Sequence, residues 1–233
     1  MKKFFYVIAV IGLFVSVCWF MRKNTAVMSF LASITGQEPK KVIVIDPGHG
    51  GFDPGKVGVN GVNEKEVNLK ISLKLKKLFE QDDFEVIMTR ETDDGLYNEG
   101  DSNKKRTDMR KRVEMINTSS AAAAVSIHQN SFQQESSRGA QVFYHVKSDE
   151  GRKLAEIIQE QIKETIGDGN HRVAKSNDNY YMLKKTNCPL VIVECGFMSN
   201  NEEAALLCDD AYQEKMAWAI YMGTMKYLNQ EAD

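Results

Sequence analysis

Nine residues, Ile43 to Gly51, constrain this chain more than any others: Ile-Val-Ile-Asp-Pro-Gly-His-Gly-Gly. The apolar run Val42–Ile45 reads as a strand that passes directly into Asp46, Pro47 and three glycines with one histidine among them. Glycine frees the backbone for a tight turn, and the strand fixes where that turn sits. His49 is therefore expected at the C-terminal edge of a sheet, where open α/β folds place their ligands. A second apolar run, Ala123 to Ile127, delivers His128 in the same way. Two histidines at two strand ends, with a carboxylate in reach, suit a divalent metal such as zinc.

The rest of the pattern is strand and helix in alternation. Strands are expected over Lys41–Ile45, Phe84–Thr89, Ala122–Ile127, Ala140–His145 and Leu190–Val193. Helices are expected over Glu64–Glu80, Lys105–Thr118, Asp149–Ile166 and Tyr212–Leu228, the first with Val67, Ile71, Leu75, Leu78 and Phe79 on one face. Such alternation predicts a single α/β domain: a central, mostly parallel sheet flanked by helices on both faces. With 233 residues, 42% of them hydrophobic, the chain can bury a sizeable core. Three long polar loops, 50–63, 91–104 and 167–187, lie where loops commonly line a site.

Charge and cysteine content exclude several classes. A net charge of −2 and the lack of any long Lys/Arg block argue against nucleic acid as a partner. The four cysteines, Cys18, Cys188, Cys195 and Cys208, show neither Cys-x-x-Cys spacing nor a disulfide framework. The last three read as small buried apolar residues. At the N-terminus, Lys2 and Lys3 precede an uncharged run from Phe4 to Met21, closed by Arg22 and Lys23. Residues 1–23 thus read as a signal peptide or uncleaved signal anchor, 24–40 as a tether, and 41–233 as the working domain, delivered outside the cytoplasm. A retained segment would make the membrane a partner.

A third metal ligand is needed. Glu64 opens a helix just after the glycine-rich loop that follows His49. It could equally sit there because the helix macrodipole favours an anion, and spacing leaves Glu66 as a rival. His145, at a strand end, and His171, in a loop, read as surface histidines or as histidines that support the ligands from outside. Glu194 closes the apolar run Leu190–Val193. A carboxylate there needs a partner. It could be the base beside a metal-bound water, or the salt-bridge partner of an arginine such as Arg90.

Taken together, VIDPGHGG, NEKEVNL, VIMTR, RKRVEMIN, VSIHQNS and VIVECGFMSN resemble, in the same order, the zinc-dependent N-acetylmuramoyl-L-alanine amidases. The resemblance covers about residues 41–229. It implies that His49, Glu64 and His128 bind one zinc ion, selecting Glu64 over Glu66, and that Glu194 is the catalytic acid/base. A short catalytic domain behind a hydrophobic N-terminus resembles the germination-specific members of spore formers. That placement implies a spore-cortex substrate, action before muramic-δ-lactam formation, and a location between the forespore membranes.

The implied reaction is hydrolysis of the bond between the muramoyl lactyl group and L-alanine of peptidoglycan. Arg90, Asn130 and the loop 91–104 are candidate substrate contacts, and an accessory activating protein is an expected partner. Two rival readings are a different zinc amidohydrolase, such as a peptidase or deacetylase, and a non-enzymatic wall-binding scaffold. A pure binder has no need of a base beside a metal.

Overall fold

The computed structural model describes residues 40–230, and the expected signal segment and most of the tether lie outside them. The elements run β1 (Val42–Pro47), α1 (Glu64–Gln81), β2 (Glu85–Met88), α2 (Lys104–Thr118), β3 (Ala123–Asn130), β4 (Gln141–His145), α3 (Asp149–Ile166), β5 (Lys175–Asn177), α4 (Tyr181–Lys185), β6 (Leu190–Phe197), α5 (Asn201–Leu206) and α6 (Asp210–Gln230). They form one sheet of six strands in the order β2-β1-β3-β6-β4-β5. β2, β1, β3 and β6 are mutually parallel, and β4 turns antiparallel to β6 while pairing parallel with β5. The sheet is mostly parallel, as the alternation predicted.

The central strands read as continuous apolar runs because both of their faces are covered. Their side chains alternate between two cores. Ile43, Ile45, Val125, Ile127, Val191 and Val193 pack on one face with Ile71 and Phe79 of α1, Leu154 and Ile158 of α3, and Met216 and Ile220 of α6. Val44, Ala124, Leu190 and Ile192 pack on the other face with Val113 and Ile116 of α2 and Met182 and Leu183 of α4. The second face is the one that carries the site. Continuing each strand by steps of two leads to Asp46 on β1, Ser126 and His128 on β3, and Glu194 on β6.

Three short elements escaped the sequence pattern: β5, α4 and α5. Each is six residues or fewer, too short to show a period. β5 and α4 fall within the loop 167–187. β3 and β6 also run farther than expected, to Asn130 and Phe197, because their pairing resumes beyond a bulge, Asn130 opposite Phe197. His128 and Glu194 therefore lie within strands rather than at their ends. Cys195 is buried as expected and Cys188 partly so. Cys208 is exposed, a departure from the sequence reading.

α3 and α6 approach closely at Gly223. A Cβ there would come within 2.8 Å of the Ile158 Cα. Gly223→Val is expected to lower unfolding stability by about 2–3 kcal/mol through overpacking. Chemical denaturation would measure it, with an unchanged midpoint contradicting the close approach.

Candidate active site

The turn after β1 is built on buried ionic contacts. Asp46 is almost fully buried. Its Oδ1 accepts from Thr89 Oγ1 at 2.6 Å and from Arg112 Nη1 at 2.8 Å, and its Oδ2 accepts from Ser126 Oγ at 2.6 Å. Burial alone would raise the carboxyl pKa; the Arg112 charge and the two hydroxyls outweigh it and hold Asp46 at about 2. Arg112 comes from α2 and also donates to Pro47 O at 2.8 Å and His49 O at 2.6 Å. Its Nε binds Asp108 Oδ2 at 2.6 Å.

Arg90 completes the clamp. Its guanidinium donates to the carbonyls of Pro47, Gly48, Thr92 and Lys65, at 2.8–3.0 Å. The sequence offered Arg90 as a substrate contact or as the salt-bridge partner of Glu194. The side chain is buried and committed to backbone, with no ion pair to Glu194 among the described residues. Two arginines thus hold His49 in the left-handed region, φ 63°, which a non-glycine residue adopts only when its surroundings enforce it.

The three expected ligands meet. The donor atoms of His49, Glu64 and His128 lie within 4.8 Å of one another. His49 Nε2 is 3.2 Å from Glu64 Oε2, and His128 Nδ1 is 3.0 Å from Glu64 Oε1. Glu64 is buried, and the amides of Lys56 and Gln129 donate to its two oxygens at 2.9 and 3.1 Å. Burial would raise its pKa; hydrogen bonds from His128 and His49 hold it well below the usual carboxylate range. Gly48 must be glycine, because a Cβ would fall 2.2–2.6 Å from the His128 ring. Glu66, the rival in sequence, instead accepts from the helix N-cap residue, Asn63 Nδ2, at 2.8 Å. His145 and His171 stand apart from the cluster, each lining a separate surface hollow.

Glu194 joins the cluster through strand register. It sits directly opposite His128 across the β3–β6 pair. Burial pushes its carboxyl up to about 7, with the His128 ring pulling against this and the Glu64 charge reinforcing it. The Tyr180 hydroxyl is its hydrogen-bonding neighbour, and its Oε2 is buried without a partner. His49, His128 and Glu194 open on a cleft of about 160 Å³, walled by Lys105, Asp108 and Met109 of α2 and by Tyr180, Tyr181 and Met182. Asn130 is not among the lining residues; its Oδ1 accepts from Ser131 N at 2.8 Å.

Sequence reasoning missed Asp46, Asp53, Arg112 and Tyr180. Asp53 was legible in principle, since Asp-Pro-Gly is a turn signal. Arg112 and Tyr180 depend on tertiary packing and leave no local mark.

The chain as a whole matches a known group of hydrolases. The family described as N-acetylmuramoyl-L-alanine amidase, Amidase_3, matches residues 43–226. The chain belongs to this family. It is an amidase that cleaves the muramoyl–L-alanine bond of peptidoglycan. It is 38% identical over 196 residues to the germination-specific N-acetylmuramoyl-L-alanine amidase of Bacillus subtilis, covering 83% of this chain and 82% of that one. Among solved structures it resembles the CwlD amidase of Clostridioides difficile in complex with the GerS lipoprotein, at 43% identity and a TM-score of 0.80. That likeness covers 82% of this chain and all of the other. The amidase AmiC2 of Nostoc punctiforme is similar at 34% identity and a TM-score of 0.72, over 82% and 99% of the two chains.

Acid tests the amidase's buried clamp. The Asp46 pKa is depressed on folding, from 3.8 to about 2. Its contribution is complete above the unfolded value and is lost as pH falls through the folded one. Between pH 5 and pH 2, stability should therefore fall by on the order of 2 kcal/mol more in the wild type than in Asp46→Asn. Parallel slopes in denaturant titrations would contradict the assignment.

Proposed function

We propose that this amidase is a zinc enzyme in which His49, Glu64 and His128 hold the ion and Glu194 moves the proton. The observation that carries the reading is one juxtaposition. Two imidazoles and a carboxylate converge, and a second carboxylate with an unpartnered buried oxygen faces the same cleft. Two histidines and one glutamate form a donor set that suits zinc with one position left open.

When bound, zinc supplies Lewis-acid polarisation of the scissile carbonyl and lowers the pKa of the attacking water. The protein's own residues do the rest. Glu194 accepts the proton of the water as its oxygen adds to the carbonyl carbon. It then gives that proton to the L-alanine nitrogen as the C–N bond breaks, leaving a lactyl carboxylate and a free peptide amine. A carboxyl pushed up to about 7 is suited to taking and returning a proton near neutral pH. Asn130, beside the β3–β6 bulge, remains a proposed substrate contact, while the carbonyl contacts of Arg90 favour holding the turn.

The biological setting follows from the relatives. Similarity to a germination-specific amidase supports spore-cortex peptidoglycan as substrate, cut before muramic-δ-lactam formation. The basic-flanked apolar run at the N-terminus supports export or membrane anchoring, with the domain acting in the forespore intermembrane space. The similar amidase captured with a lipoprotein supports an accessory protein partner. Purified residues 33–233 with zinc should release L-alanine-led peptides from cortex-type peptidoglycan, as judged by product mass. Cleavage within the stem peptide, or removal of acetyl groups only, would overturn the assignment.

Metal analysis gives a second check. The wild type should hold one zinc per chain, and Glu64→Ala should lose most of it. Full occupancy in that variant would remove Glu64 from the ligand set. Glu194→Gln keeps the shape but not the proton acceptor. Zinc should stay while turnover falls by roughly two to four orders of magnitude. Near-normal turnover would make Glu194 structural.

A further inference from the structure

The three ligand residues do not explain how His49 is held with one particular nitrogen toward Glu64. Its ring has two nitrogens, and a metal takes only the one that lacks a proton. In the structure Nε2 faces Glu64 at 3.2 Å, while Nδ1 faces Asp53 Oδ2 at 3.0 Å. Asp53 is itself fixed. Its other oxygen accepts from Gly55 N at 3.2 Å, and its backbone pairs with Gly50 through N–H···O contacts of 3.0 and 3.2 Å. Gly55 has φ 70°, and a Cβ there would meet Glu64 Oε2 and His49 Cδ2 at 2.6 and 2.8 Å. The Asp-Pro-Gly turn is therefore wrapped tightly around two of the ligands.

We propose that Asp53 is the positioning residue for metal binding, accepting the Nδ1 proton of His49 and thereby presenting Nε2 to the ion. This rests on the zinc reading above. The two Asp53 oxygens divide the work: Oδ1 ties the carboxylate to the turn, and Oδ2 orients the ring. Lys105 is the competing group. Its Nζ lies 3.2 Å from the same Oδ2, on a side chain that is 64% exposed at the start of α2. It draws on the oxygen that His49 uses and brings a positive charge toward the cation, so it opposes metal binding.

Zinc competition against a chromophoric chelator tests the proposal on the wild type, Asp53→Ala, Asp53→Asn and Lys105→Ala, with thermal unfolding of each metal-free protein as the fold control. Loss of an outer partner of a metal-bound histidine typically weakens binding 10–100-fold. Asp53→Ala should show a loss of about that size. Asp53→Asn, which keeps a neutral acceptor, should fall between it and the wild type. Lys105→Ala should bind zinc as tightly as the wild type or more tightly. Equal affinity in the wild type and Asp53→Ala would overturn the role of Asp53. An equal loss in Lys105→Ala and Asp53→Ala would overturn it too, by showing that the pair acts through loop structure. Failure of the wild type to bind zinc would instead sink the zinc reading itself, so the two failures are distinguishable.

Discussion

The site depends first on the buried contact between Asp46 and Arg112. Neither side chain is more than 2% exposed, and their N···O distance is 2.8 Å. Burying two charges is expensive unless every remaining polar atom finds a partner. Here Thr89, Ser126, Asp108 and the carbonyls of Pro47 and His49 supply those partners. The pair ties β1, β3 and α2 together just beneath the turn that carries His49. Removing one partner would leave an uncompensated charge in the core, a loss of roughly 3–5 kcal/mol. The buried network also supports the positive φ of His49, because two arginines grip the carbonyls on either side of it.

Register does the second part of the work. Parallel pairing of β3 with β6 sets His128 opposite Glu194, and the period of two puts both on the α2 side of the sheet. A slip of one residue in either strand would turn one of them toward the other core. The placement of both side chains thus rests on a pairing choice that the apolar residues of β3 and β6 enforce along their whole length. Val125 and Ile127 must face α1, α3 and α6, and His128 follows from that.

Much of this was legible beforehand. Long apolar strands and the 18-residue helices α1 and α3 have clear periods, and the structure bears them out. His49 and His128 stood out because each follows an apolar strand pattern, and Glu64 because it opens a helix after a glycine-rich loop. What stayed hidden lies in tertiary contacts. Sequence could not tell that Arg90 spends its donors on backbone carbonyls, or that an arginine in a strongly charged helix, Arg112, is buried. Tyr180 reaches the cleft from a segment whose strand and helix, β5 and α4, are too short to announce themselves. Helical direction separates Glu64 from Glu66: Glu64 faces His49 and His128, while Glu66 returns to Asn63.

The central claim is that one metal centre and one base act side by side in this cleft. A crystal structure of the zinc-loaded domain, with anomalous scattering recorded on both sides of the zinc edge, tests it most directly. The account predicts a single peak at about 2.0–2.2 Å from His49 Nε2, a Glu64 oxygen and a His128 nitrogen, with Glu194 facing the open position. A zinc peak elsewhere, or one held by His145 or His171 instead, would contradict it.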